Sequence, residues 1–238
     1  MEREKRKSSC LTYFLHGLFG TGEDWPEMPS SVFLDLPGHG STPLPRTDDL
    51  FNYTEQWLLK QFPEKCNLVG YSMGGRLALT LALKYRERFD KVAIISAHPG
   101  IEHTHKREEI DQNRAGELRA KGLQQFLNTW YKDPIFSTLR RKPFFHKIMQ
   151  RRLKQNPSSM ASVLEGLSVA KQEYLWDKLP SPNLHFFYGD EDIKYLSVAH
   201  RLKQLGCNVT LVPSVGHAFH LEEPSLFQSL TREYLYGK

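Results

Sequence analysis

Asn67-Leu68-Val69-Gly70-Tyr71-Ser72-Met73-Gly74-Gly75-Arg76-Leu77-Ala78-Leu79 passes from one apolar run through Gly-x-Ser-x-Gly into another. Such a context predicts a strand, a sharp turn and a helix, with the serine at the apex of the turn. The turn exposes the hydroxyl and aims the next backbone N–H at the same point. Glycines on either side carry no Cβ, so strand and helix can crowd together there. A tight strand–helix turn that merely tolerates a serine would read similarly. The strand before Ser72 and the helix after it favour a nucleophile.

Outward from that stretch, short apolar runs alternate with helical ones. Residues 11–15, 32–36, 65–69, 91–96, 184–188 and 209–212 read as strands, each apolar and bounded by Gly, Pro or charge. Residues 55–61, 75–85, 196–205 and 224–236 read as helices between them. This βαβα order predicts an α/β fold, a mostly parallel sheet covered on both faces. The alternation breaks at Pro99-Gly100. From there to about Lys178 helices are expected at 106–120, 123–131, 143–155 and 158–172, punctuated by Pro134, Pro143 and Pro157. The expected organisation is a core of residues 1–99 and 179–238 with a helical lid at 100–178.

The 238 residues suffice for one large α/β domain with a full core. The net charge is +5, and its distribution says more than its total. Between Ile101 and Trp176 there are 14 Lys or Arg against 8 Asp or Glu, which leaves the rest near neutral. No nucleic-acid module or basic stripe with interleaved aromatics accompanies this charge, so an anionic small-molecule substrate is the expected partner. Much of it can equally be solvated surface. Cys10, Cys66 and Cys207 have no bridge or ligand spacing, which reads as reduced thiols. The first nine residues are charged and then polar, and no apolar stretch approaches a membrane span. A cytoplasmic monomer or weak oligomer, without metal or cofactor, is expected.

Asp35-Leu36-Pro37-Gly38-His39-Gly40-Ser41 follows the second strand and looks like a DxPGHGxS loop with its serine one place early. Together with the Ser72 turn it makes the chain resemble the α/β-hydrolase superfamily over nearly its whole length. In that superfamily the triad runs nucleophile, acid, histidine along the chain. The acid then belongs in Gly189-Asp190-Glu191-Asp192; Asp192 is chosen because it lies far enough past the strand to reach back over the sheet, with Asp190 and Glu191 as alternatives. The histidine follows one more strand, at His217, with His220 the weaker candidate. Serine is too weak an acid to react unaided, so a neutral imidazole must take its proton and a carboxylate must orient that imidazole. The oxyanion donors expected are the Met73 amide and the Leu18 amide, the latter in the loop after the first strand. His16 in that loop reads as structural. Only ten residues precede the first core strand, so the leading antiparallel hairpin usual in the superfamily is expected to be short or missing.

A narrower resemblance lies in the run from Gly70 to Arg76, in Ala97-His98-Pro99-Gly100, in Trp130-Tyr131-Lys132-Asp133-Pro134-Ile135-Phe136, in Ala161-Ser162-Val163-Leu164-Glu165-Gly166-Leu167-Ser168 and in Gly189-Asp190-Glu191-Asp192-Ile193-Lys194-Tyr195. Together they resemble the menaquinone-pathway family that makes 2-succinyl-6-hydroxy-2,4-cyclohexadiene-1-carboxylate. The resemblance implies a lyase that releases pyruvate by proton abstraction and elimination, not a hydrolase. It also implies substrate contacts from Tyr71, Arg76, Arg107, Trp130 and Arg152, with Arg114 and Arg151 as neighbouring alternatives. Planar guanidinium groups suit a substrate with several carboxylates. A serine carboxylesterase or carbon–carbon-bond hydrolase with the same triad is the rival reading; a binding protein retaining the triad as a relic is the more distant one.

Overall fold

The computed structural model describes residues 10–237. Six strands, β1 (Thr12–Leu15), β2 (Ser31–Leu34), β3 (Cys66–Tyr71), β4 (Phe89–Ile95), β5 (Leu184–Gly189) and β6 (Asn208–Val212), form one sheet in the order β2-β1-β3-β4-β5-β6. Every pairing is parallel, with Leu15 opposite Gly70 and Gly189 opposite Val212 at the carboxyl ends. The stretch before Cys10, where a hairpin was expected short or missing, lies outside the described residues.

Helices α1 (Leu50–Gln61) and α2 (Met73–Lys84) connect the first strands. Between β4 and β5 come α3 (His105–Lys121), α4 (Leu123–Trp130), α5 (Ser137–Arg140), α6 (Phe145–Arg152) and α7 (Pro157–Gly166), with no strand among them. Then α8 (Ile193–Gln204), α9 (Phe219–Glu222) and α10 (Pro224–Tyr236) complete the chain. The central strands are apolar and buried on both faces; all six residues of β3 are buried. This is what a parallel sheet with helices on both sides requires. The edge strand β2 is only half-buried.

Several boundaries differ from the sequence expectation for identifiable reasons. β2 stops before Asp35; beyond it the Leu36 amide donates to His16 Nε2 at 3.0 Å and not to a neighbouring strand. α1 starts five residues earlier than the apolar periodicity suggests, since the Asp49 carboxylate caps it by accepting from Asn52 N at 3.0 Å. The helix expected over 158–172 ends at Gly166, whose backbone lies against the Leu50 side chain. Ser168 then starts a separate short turn and donates to Asp111 at 2.7 Å. α5 lies in what reads from sequence as a loop.

The chain enters and leaves the helical insertion through one neck. Leu175 N donates to Pro99 O at 2.8 Å, Gln172 Nε2 to His98 O at 3.0 Å and Trp176 Nε1 to Gly100 O at 2.9 Å.

Candidate active site

The site begins at the carboxyl end of β3. Ser72 has φ 51 and ψ −107, a left-handed conformation that costs a non-glycine residue energy and is held by its surroundings. Those surroundings are close: a Cβ on Gly74 would fall 2.2 Å from Leu15 O, and one on Gly70 2.4 Å from Gly74 O. No other residue type allows β1, β3 and α2 to meet at this distance. Met73, the first residue of α2, has no preceding helical carbonyl for its N–H, and the positive end of the helix lies there.

His217 comes from the loop after β6 and Asp192 from the loop after β5. His217 Nδ1 lies 2.6 Å from Asp192 Oδ2, and Nε2 lies 3.2 Å from Ser72 Oγ. The geometry fits Nδ1–H donating to the carboxylate and Nε2 accepting from the serine hydroxyl. Asp190 instead accepts from Ser214 N at 2.7 Å, and Glu191 pairs with Arg141 on the surface. Of the three acids only Asp192, fully buried, meets the imidazole. The buried Glu222 accepts from Gly216 N at 2.8 Å and Ala218 N at 3.2 Å, pinning the loop on both sides of His217. His220 lies away from this line. Its ring packs at a tilt against Tyr71, 4.3 Å away, and Trp25, 4.6 Å away, its ring nitrogens have no partner among the described residues, and burial pushes its pKa down to about 3.

The loop after β1 faces Ser72 from the other side. Gly20 N donates to Gly17 O at 2.9 Å, closing a turn with Leu18 and Phe19 at its corners; Phe19 has φ 62. His16 donates from Nδ1 to Gly17 O at 2.8 Å and accepts Leu36 N at Nε2 at 3.0 Å, so both nitrogens serve the loop and burial keeps the ring neutral.

These groups open on one cavity of about 380 Å³ beneath the insertion. Leu18, Tyr71, Ser72, Met73, Arg76, Arg107, Trp130, Arg152 and His217 all line it; Asp192 is behind the imidazole. The cationic side chains differ in what already holds them. Arg76 donates from Nη2 to Leu167 O at 2.6 Å, Nη1 is buried without a partner among the described residues, and burial lowers the pKa to about 10. Arg107 and Arg114 share Asp111, at 2.7 and 3.3 Å. Arg152 is closed on Asp24 by two hydrogen bonds of 2.8 and 2.6 Å and donates from Nε to the Tyr131 hydroxyl at 3.2 Å. Arg151 also reaches Asp24, at 3.2 Å, and does not line the cavity. Trp130 packs on Phe19 and Phe126 while Arg114 lies 5.2 Å over its ring.

Tyr195, at the end of the run from Gly189, carries no role legible in the sequence. Its ring lies 4.8 Å from the His217 ring, and burial raises its hydroxyl pKa, leaving a neutral donor at the cavity wall. Asp24, Asp111 and Glu222 carried no motif. Among the described residues no group of three or more His, Cys, Asp or Glu is placed to hold a metal ion.

A parallel sheet carrying a serine, a histidine and an acid on the loops after β3, β6 and β5 defines an α/β-hydrolase, and a profile of the alpha/beta hydrolase family matches residues 13–227: the chain belongs to that family. Within it the chain belongs with the 2-succinyl-6-hydroxy-2,4-cyclohexadiene-1-carboxylate synthases, being 30% identical to the one from Pectobacterium atrosepticum across 93% of this chain and 92% of that one. It is also 30% identical, over 94% of its length, to the chloroplastic protein PHYLLO of Arabidopsis thaliana, of which it spans only 15%. Among solved structures it is similar to MenH from S. aureus, with a TM-score of 0.87, 26% identity and coverage of 98% and 96% of the two chains.

Proposed function

We propose that this protein makes 2-succinyl-6-hydroxy-2,4-cyclohexadiene-1-carboxylate in menaquinone biosynthesis, by eliminating pyruvate from 2-succinyl-5-enolpyruvyl-6-hydroxy-3-cyclohexene-1-carboxylate. The observation that carries this reading is Arg76. A half-buried guanidinium that remains cationic at neutral pH, has one carbonyl acceptor, keeps a buried Nη1 without a partner among the described residues and lines the Ser72 cavity is incompletely satisfied until an anion arrives. A neutral-ester hydrolase has no use for it. Arg107 and Arg114, two cations on one carboxylate, leave net positive charge on the same wall for further carboxylates.

In the proposed reaction the ring proton beside the succinyl ketone passes to Ser72 Oγ as the serine proton moves to His217 Nε2. Electrons from the broken C–H bond form a ring double bond. The existing double bond shifts by one position, and the ring C–O bond to enolpyruvate breaks. The ketone oxygen gathers negative charge during proton removal, and the Leu18 and Met73 amides are the donors assigned to it. Enolpyruvate becomes pyruvate by gaining a proton at carbon. Asp192 holds the imidazole in the Nδ1–H tautomer that accepts the serine proton. Tyr71, Tyr195 and Trp130 form the apolar wall beside the ring. Arg152, already neutralised by Asp24, is assigned to shaping the cavity more than to binding a carboxylate. Segment 100–178 acts as the lid that keeps water from the intermediate. Sparse, unbridged cysteines support a cytoplasmic setting, and among the described residues no helix is long and apolar enough to cross a membrane.

The test is pyruvate release from the enolpyruvyl substrate beside turnover of p-nitrophenyl acetate. Pyruvate release that Ser72→Ala lowers by ~10³-fold or more is expected. Ester turnover without pyruvate release overturns the reading.

A further inference from the structure

Gln155 follows α6 in the helical insertion, is buried, and has no part in the chemistry above. Its amide makes three contacts with the loops beneath. Nε2 donates to Phe19 O at 3.2 Å and Gly20 O at 3.0 Å; Oε1 accepts from Gly40 N at 3.0 Å. Both amide hydrogens and the carbonyl are therefore used, and the loops after β1 and β2 are tied together through one side chain contributed by the insertion.

The turn so held is the one that carries Leu18. Phe19 sits at its third position with φ 62, a conformation that favours glycine and costs a phenylalanine. The hydrogen bonds to Phe19 O and Gly20 O fix the peptide planes that follow Leu18. The Leu18 N–H shares its peptide plane with Gly17 O, which is held by Gly20 N at 2.9 Å and by His16 Nδ1 at 2.8 Å. Without the Gln155 bonds Phe19 is free to leave the left-handed region, the Gly20 N–Gly17 O bond that closes the turn slackens, and the Leu18 amide keeps only the His16 anchor. Three residues before Gln155, Arg152 grips Asp24 of the same loop, so Gln155 is fixed against the turn from its own side too.

We propose that Gln155 is a positioning residue: from the insertion, it holds the turn that aims the Leu18 amide at the developing oxyanion. This rests on the elimination reading and adds to it that the insertion assembles the oxyanion site as well as covering the pocket. A misaimed donor affects the transition state more than ground-state binding.

The experiment compares Gln155→Ala, Gln155→Glu and a control, Asn156→Ala, by pyruvate release and thermal unfolding. Glu keeps the volume and can accept from Gly40 N, but its carboxylate cannot donate to the two carbonyls. Asn156 is exposed, and its side chain caps α7 by accepting from Ser159 N at 3.0 Å. Expected are a ~10-fold loss of kcat with KM within twofold for both Gln155 variants, a fraction of what removing an oxyanion donor costs, and unchanged kcat for the control. Wild-type kcat in either Gln155 variant, or an equal loss in the control at matched Tm, overturns the inference. If the wild type releases no pyruvate, the elimination reading fails. The same variants are then compared by the rate at which a p-nitrophenyl phosphonate labels Ser72, since the phosphonyl oxygen needs the same amides. Slower labelling of both Gln155 variants sustains the positioning role; equal rates, or a wild type that is not labelled, overturn it.

Discussion

The floor and the roof of the cavity are held in place by different forces. Below, Ser72 is set by steric contact between backbones: β1, β3 and α2 meet where Gly70 and Gly74 leave no room for a Cβ. Above, the insertion packs through its own apolar side chains, among them Phe126, Leu127, Met160 and Leu164, and its cavity-facing wall is further pinned by charge: Arg152 on Asp24, both buried, and Arg107 and Arg114 on the buried Asp111. Steric fixation is short-ranged and insensitive to ions. Fixation by buried charge is only as good as the pairing, because an unpaired buried ion costs more than the pair returns. The floor can therefore present a strained serine continuously, while the roof has charge to share with a ligand. Arg76 crosses between them, rooted in α2 and bonded to Leu167 O of the insertion.

The comparison is broken most directly at Asp24. Asp24→Asn leaves the buried Arg152 without its carboxylate, and a loss of about 3–5 kcal/mol is expected, read as a fall in Tm of roughly 10 °C for a chain of this size. A Tm within the scatter of wild type would mean that the roof does not depend on that pair. Next is Arg76→Ala. Removing charge-assisted contacts to substrate is expected to lower kcat/KM by ~10²-fold, with KM raised and kcat lowered together. Tm should hold or rise, since the residue is a half-buried cation whose buried Nη1 has no partner among the described residues. Unchanged kcat/KM would remove Arg76 from the site.

The smallest effect is a titration. Burial lowers the pKa of His98 to about 4 and that of His220 to about 3, and depresses His16 and His39. Each binds a proton in the unfolded chain near pH 6.5 but stays neutral when folded. Below that pH the unfolded state takes up more protons, so stability is full above about 6.5 and is lost progressively as pH falls toward 4. Asp24 has a lowered pKa and remains ionised in that range, so the roof pair persists. Unfolding scans from pH 7 to pH 5 should show a steady decline in Tm; a flat profile would mean that these rings are hydrated.

The same division explains what the sequence made legible. The floor is written locally: the Ser72 turn, the acid loop and His217 each lie within a few residues of a strand end. Parallel order then brings them together, and the six strands followed from short apolar runs. The roof is not written locally. Nothing near Arg152 announces Asp24, 128 residues earlier. Asp111 and Glu222 look like ordinary surface acids until folding buries them. Helix ends in the insertion are illegible for the same reason: α7 ends at Gly166, packed against Leu50, a contact no periodicity contains.

The hydrogen-bonded neck has a consequence for ancestry and engineering. Because Pro99, Gly100 and His98 are tied to Leu175, Trp176 and Gln172, the segment leaving β4 and the segment leading to β5 meet the same boundary whatever length of chain lies beyond. Closing a longer or shorter excursion adds only a slowly growing entropic cost. Selectivity can then be rewritten by trading the segment above the neck while the reactive serine stays untouched. The graft must bring its own equivalent of Gln155, or the exchanged enzyme will bind as before and turn over more slowly.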